Sequence, residues 1–228
     1  MNNIKNSVIL IGSPRCEKSN SNSLGSYMQS QLEFYNVSVE KYYLYNIMNH
    51  KEKIDDLFLK INESDLIILV FPLYFDCFPV YVLKMMELLF DYRKSLKDNK
   101  KNKFAVIVNC GFPEASKNKI ALKICKNFVN EIRFEWNGGL SIGAGEVIGT
   151  RQIEKIKGIL KNLKKGFKIA AKALAEGKSI PQQATELVSK PLIPKFIYLK
   201  SATLSFKKEA KKYGTKKILR SQPYLKNN

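Results

Sequence analysis

Histidine is nearly absent from this chain of 228 residues: it has one, His50, in a stretch expected to be a surface loop before the second helix. Histidine metal sites and hydrolase triads therefore find no support. Cysteine is scarce and scattered. Cys16, Cys77, Cys110 and Cys125 share none of the C-x-x-C spacings of zinc or iron–sulfur sites, so no metal is expected and a reduced, cytoplasmic setting fits best. Long apolar runs are missing too. The longest, Leu66 to Phe75, is about half of the roughly 20 residues a helix needs to cross a bilayer, and Met1 to Lys5 leads into a first strand, not a signal-peptide core. Acidic residues are few. Lys and Arg number 39 against 20 Asp and Glu, a net charge of +19, most of it C-terminal: residues 151–228 hold 20 basic and 4 acidic side chains. Such a field draws anions, unless it is only a solvated lysine-rich surface.

What is present describes a globular α/β protein. With 45% hydrophobic and 26% charged residues the chain is far from the composition of disorder, and its length suits one domain with an appendage. Three continuous apolar runs, Ser7 to Ile11, Leu66 to Phe71 and Phe104 to Val108, have the character of strands buried on both faces of a parallel sheet. Val37 to Tyr43 alternates and reads as a strand nearer the edge; Phe134 to Ile142 supplies a fifth. Between them lie helical periods: Leu24, Tyr27, Met28 and Leu32; Ile54, Leu57, Phe58 and Ile61; Val82, Leu83, Met86, Leu89 and Phe90; Ile120, Ala121, Ile124 and Phe128. A long lysine-rich helix is predicted from Ile153 to Gly177. Strand and helix alternate, which implies right-handed crossovers and a doubly wound sheet whose ligand lies beyond the carboxyl ends of the strands.

Three loops fall at those ends. Gly12-Ser13-Pro14-Arg15-Cys16-Glu17-Lys18-Ser19-Asn20-Ser21 separates the first strand from the first helix. A phosphate there would meet free backbone N–H groups and the positive helix end, with Ser13, Ser19, Asn20 and Ser21 as small polar donors and Arg15 as a cation. The plainer possibility is a Ser/Asn turn capped by Ser21; its place behind a buried first strand favours phosphate. Neither G-x-x-x-x-G-K-[ST] nor G-x-G-x-x-G follows that strand. Gly143-Ala144-Gly145 imitates the latter, but no later strand carries the acidic residue a ribose would need, so it reads as a flexible loop near the site. The second loop, Phe71 to Pro79, is crowded with aromatics; the third, Asn109 to Glu114, holds a glycine where backbone can approach a ligand. Aromatics of this kind also fill cores.

Through Gly12-Ser13-Pro14-Arg15, Ser19-Asn20-Ser21, Pro72-Leu73-Tyr74-Phe75-Asp76 and Cys110-Gly111-Phe112-Pro113-Glu114 the chain resembles the NADPH-dependent FMN reductases, related flavodoxin-like quinone reductases and iron–sulfur flavoproteins, over about residues 5 to 150. The resemblance implies a flavodoxin-like three-layer sandwich, with a five-stranded parallel sheet in the order 2-1-3-4-5. It also implies FMN as cofactor, with NADPH or NADH as co-substrate. Carried over, Ser13, Arg15, Ser19, Asn20 and Ser21 would bind the phosphate, and Pro72, Leu73, Tyr74, Phe75, Asp76, Gly111 and Phe112 would line the ribityl chain and ring. The compact cysteine cluster of the iron–sulfur members is absent.

The function so implied is hydride transfer from NAD(P)H through FMN to a quinone, flavin or other small acceptor such as an azo or nitro compound. Tyr74, Phe75, Phe112 and Trp136 are candidates for shaping the nicotinamide or acceptor pocket, Trp136 being equally readable as core. A non-enzymatic electron carrier is the alternative, but carriers of that kind resemble acidic surfaces, opposite to this charge. Residues 1–178 are expected to form the FMN domain and 179–228 a basic extension, either wrapping a second subunit in a homodimer or higher oligomer, or meeting nucleic acid or an acidic membrane surface. In residues 190–228, 11 basic side chains accompany one acidic, Glu209.

Overall fold

The apolar runs become strands because both of their faces find cover. In the computed structural model, which describes residues 3–96 and 101–221, the strands are β1 (Asn6–Ile11), β2 (Ser38–Tyr43), β3 (Leu66–Leu73), β4 (Lys103–Cys110) and β5 (Glu135–Ile142). All neighbours are parallel and the order is β2-β1-β3-β4-β5, the flavodoxin-like arrangement. Every residue of β3 is buried. Ile68 and Val70 face one layer and Ile67, Leu69 and Phe71 the other, as the two-residue period of a strand requires. Each such side chain withdrawn from water contributes about 1.5–3 kcal/mol.

The helices are α1 (Asn20–Glu33), α2 (Leu44–Ile47), α3 (Lys51–Glu63), α4 (Val80–Ser95), α5 (Lys119–Glu131), α6 (Lys161–Ala175), α7 (Gln182–Ser189) and α8 (Lys195–Lys212). α1, α6 and α7 cover one face of the sheet, α2 to α5 the other. Two predicted helix faces turn out differently. On α5 the buried residues are Ala121, Cys125 and Val129, while Ile120 is 72% exposed and Ile124 is exposed as well. Small side chains let the helix lie close, so the stripe one residue along from the larger isoleucines faces inward. On α4, Leu83 is exposed and Met85 takes the inner place.

The helix predicted from Ile153 begins only at Lys161. Gly158, at φ +74°, interrupts it, and Lys164 Nζ donates to the carbonyls of Glu154 (2.9 Å) and Ile156 (2.7 Å), holding residues 153–160 as an irregular strap. Residues 180–192, grouped by sequence with the extension, lie in the first of two compact units, which ends at Leu192. Ile180 N–H donates to Asn137 O of β5 at 2.8 Å, and Ala184 and Val188 of α7 enter the core beside α6. The second unit begins at Ile193 and contains α8 and a short turn at Lys216–Ile218; residues 222–228 of the predicted extension lie outside the described residues.

Candidate functional site at the carboxyl ends of the strands

β2 and β3 lie on opposite sides of β1, so the crevice beyond β1 is the switch point at which doubly wound sheets hold ligands. Gly12 leaves the sheet there, donating its N–H to Val70 O at 2.8 Å. A Cβ at this position would lie 2.3 Å from Val82 Cγ2 and 2.9 Å from Phe71 Cβ, so only glycine lets the loop start this close to α4. The chain then makes a short turn, Cys16 N–H donating to Ser13 O (3.1 Å) and Lys18 N–H to Arg15 O (2.9 Å), and enters α1.

Ser19, not Ser21, is the N-cap: its Oγ accepts from Asn22 N–H at 3.1 Å and donates to Cys16 O at 2.6 Å. That leaves the other polar groups for a ligand. Ser21 Oγ accepts from Asn109 Nδ2 at 2.9 Å and Ser13 Oγ from Arg15 N–H at 3.4 Å, so each keeps its hydroxyl hydrogen to donate. Asn20, 6% exposed, has no side-chain hydrogen bond among the described residues. Arg15 and Lys18 are exposed and meet no acidic partner among the described residues. The first-turn amides of α1 lack intrahelical acceptors, as at any helix start. Small donors, free amides and unpaired cations in one place are the chemistry by which a helix start can receive an anion.

The second loop is built on different physics. Pro72 and Leu73 are buried, as the last residues of β3. Tyr74 and Cys77 then exchange N–H···O bonds, 3.0 Å each way, around Phe75 (φ +49°) and Asp76 (φ +64°). Two central residues at positive φ define a primed tight turn, ordinarily made with glycine or asparagine. A phenylalanine there is strained, and strain of this kind is found at functional sites. Phe75 is 94% exposed, held out into solvent, while Phe78 stacks on Phe71 beneath it at 4.9 Å between ring centroids.

In the third loop Gly111 and Phe112 are exposed, with Lys117 Nζ 5.6 Å from the centre of the Phe112 ring. The predicted flexible loop after β5 is instead buried and packed as its buttress. Ala144 N–H donates to Phe112 O at 2.6 Å, and a Cβ on Gly143 would meet Pro113 O at 2.4 Å and Ala115 N at 2.8 Å. Trp136 pairs with Phe104 at the opposite, amino end of β5 and packs on the core, away from these loops.

One residue escaped the sequence. Asn109, buried in β4, reaches Ser21 Oγ of the first loop and Phe71 O (3.2 Å) before the second, so one side chain ties the three loops together. An amide interrupting an apolar strand two residues before a glycine was its only signal. Burial and then the Glu17 carboxylate push the Cys16 thiol up, and burial does the same at Cys110. Among the described residues no group of three or more His, Cys, Asp or Glu could hold a metal ion, and no helix is long and apolar enough to cross a membrane.

No protein-family model matches the chain, and no curated protein matches it. Solved structures do. They include an FMN-dependent NADH-azoreductase from Bacillus anthracis in complex with FMN (13% identity, 75% of this chain and 100% of that one, TM-score 0.56). An NAD(P)H:quinone oxidoreductase from Methanothermobacter marburgensis is similar over 76% of this chain and 96% of its own (12% identity, TM-score 0.53). An NADPH-quinone reductase from P. pentosaceus is similar over 75% and 98% (14% identity, TM-score 0.52). At such identities the likeness is one of fold.

Proposed function

We propose that this protein is an FMN-dependent oxidoreductase that accepts hydride from NAD(P)H and passes electrons to a quinone, a flavin or another small acceptor. The observation that carries the reading is the pairing of an anion cradle at the start of α1 with exposed aromatic loops at the ends of β3 and β4, in a fold that the FMN-bound azoreductase also has.

The residues present fit such a cofactor. Ser13, Asn20 and Ser21 would donate to its phosphate, Arg15 would neutralise it, and Ser19 would hold the cradle as the cap of α1. Pro72, Leu73, Tyr74, Phe75 and Asp76 would flank the ribityl chain and ring on one side, Gly111 and Phe112 on another. Bound FMN supplies a carrier of hydride and electrons, so no acid or base of the protein is required. The chain's own part is to fix the ring against the incoming nicotinamide and to exclude water around it. Its positive charge favours the extra phosphate of NADPH.

A homodimer is the expected assembly, because Phe75, Tyr74, Val80 and Leu83 leave an apolar rim exposed beside the cradle that a second copy would cover. The four free thiols support a cytoplasmic setting.

Anaerobic titration tests this. The protein loaded with FMN should lose its yellow absorbance on addition of NADPH or NADH and regain it with a quinone. A bound flavin that bleaches with neither nucleotide would exclude the reductase and leave a flavin-binding protein.

A further inference from the structure

None of the site residues named above belongs to the second unit, which has a pronounced surface of its own. α8 runs over 18 residues, about 27 Å at 1.5 Å per residue. It carries six lysines, at 195, 200, 207, 208, 211 and 212, and one acidic residue, Glu209. Phe196, Leu199, Phe206 and Tyr213 recur at spacings of 3 and 7 residues and so fall along one side of the helix. They are not covered: Phe196 and Phe206 are each 72% exposed, and Leu199 and Tyr213 are exposed too. Lys200, Lys207 and Lys211 flank that stripe, and Lys216, Lys217 and Arg220 continue the charge beyond the helix, next to exposed Ile218 and Leu219.

We propose that α8 and the turn after it form a membrane-surface helix, which lies on anionic lipid with Phe196, Leu199, Phe206 and Tyr213 in the interface and the lysines among the headgroups. Lys208 and Lys212 lie across the helix from that stripe and Lys200, Lys207 and Lys211 along one edge of it, and lysines set beside exposed aromatic and aliphatic residues are what anionic lipid surfaces draw. Lysine also has the flexible stem needed to cover apolar surface while its charge reaches the phosphate layer. The helix is too polar to span, consistent with the lack of any membrane-crossing helix among the described residues.

The same features disfavour other occupants. A second copy of this chain brings +19 of like charge against these lysines. A nucleic acid would neutralise the lysines and could stack on Phe196 or Phe206, but it leaves Leu199, Leu204, Ile218 and Leu219 in water. Arginine, the better residue for phosphate recognition, occurs after residue 192 only as Arg220. Lipid satisfies the charged and the aliphatic parts together. The proposal is independent of the flavin chemistry.

The test is sedimentation of the full chain with phosphatidylcholine vesicles, with and without phosphatidylglycerol. Binding is expected only with the anionic lipid and weakens as salt is raised. F196S/F206S should bind at least about tenfold more weakly, and K200Q/K207Q/K211Q about a hundredfold. All five positions are exposed, and unchanged circular dichroism and an unchanged urea midpoint establish that each variant is folded. Three results would overturn the proposal: no binding of the parent chain to anionic vesicles; full binding by F196S/F206S, which would mean charge alone; or tighter binding of a single-stranded oligonucleotide than of vesicles at the same salt, with the double serine variant unaffected. A fall in oligomeric mass on F196S/F206S without vesicle binding by the parent would identify a second copy as the occupant.

Discussion

The loops after β1 and β3 leave neighbouring strands of one sheet, yet they are opposites. The first is drawn in: Gly12 has no room for a methyl group, Ser13, Ser19 and Ser21 are buried, and their oxygens are already engaged by Arg15, Asn22 and Asn109. The second is pushed out: Phe75 stands in solvent on a backbone it adopts reluctantly. A group whose shape and charge never vary, such as a phosphate, is best met by donors fixed before it arrives, since ordering them on binding costs affinity. A flat surface shared by a ring and successive co-substrates needs exposed aromatic area instead. Rigidity and exposure are thus divided between two turns a few residues from the same strand ends.

Breaking the rigid half should have the largest effect. Gly12→Ala drives a Cβ to 2.3 Å from Val82 Cγ2, and overpacking of this kind costs about 1–3 kcal/mol. The urea midpoint should fall and FMN affinity with it, because the displaced loop is the cradle. Gly111→Ala is the control from the open side: nothing lies within 4 Å of its Cβ, so stability should move by less than about 0.5 kcal/mol. Equal destabilisation by both would erase the contrast.

Next comes the tie between the loops. Ser21→Ala removes the acceptor for the buried Asn109 amide, at about 1–3 kcal/mol for a buried polar group left short of a partner. Combined with Arg15→Ala it should weaken FMN much more than riboflavin in parallel titrations, since only FMN carries the phosphate. A loss equal for both ligands would mean that the loop does not hold phosphate.

These two positions also mark where sequence stops being informative. Gly12 and the serines were visible as a pattern because they follow a continuous apolar run, and such runs announce strands buried on both faces without reference to anything distant. Asn109 was legible only as an anomaly. Its function depends on Ser21 lying opposite it, a relation made by three crossovers of the chain. The choice of Ser19 over Ser21 as the cap was equally hidden, because Ser19, Asn20 and Ser21 are all good caps and the turn at Cys16 decides between them. On α5 two apolar stripes lie side by side, Ile120 and Ile124 against Ala121, Cys125 and Val129, and their order of burial is set by how close the helix comes to the sheet.

The exposed half should respond in the reverse direction. Phe75→Asn places a residue tolerant of positive φ in the strained turn, and since Phe75 buries almost nothing within its own chain the dissociated protomer should gain about 1 kcal/mol in chemical denaturation. NAD(P)H turnover should fall at the same time, as aromatic area at the ring is lost. A variant that is more stable and equally active would make the strain a feature of the turn without a task at the site.

The smallest effect probes the cradle's field directly through Cys16, which sits inside it at φ +46°. A helix start and nearby cations lower a thiol pKa, whereas burial and a neighbouring carboxylate raise it. Here burial and Glu17 prevail and the pKa is raised. The sign follows: a raised pKa leaves the neutral thiol as the form present at neutral pH, and only the thiolate reacts with iodoacetamide. Labelling followed site by site by mass spectrometry should therefore find Cys16 lagging behind the exposed Cys77 near neutrality and accelerating above the ordinary thiol range. If Cys16 reacts first at neutral pH, the positive field of the cradle outweighs its burial. The first loop would then hold an anion by long-range charge as much as by the hydroxyl groups of Ser13 and Ser21, and removing those hydroxyls should cost FMN correspondingly little.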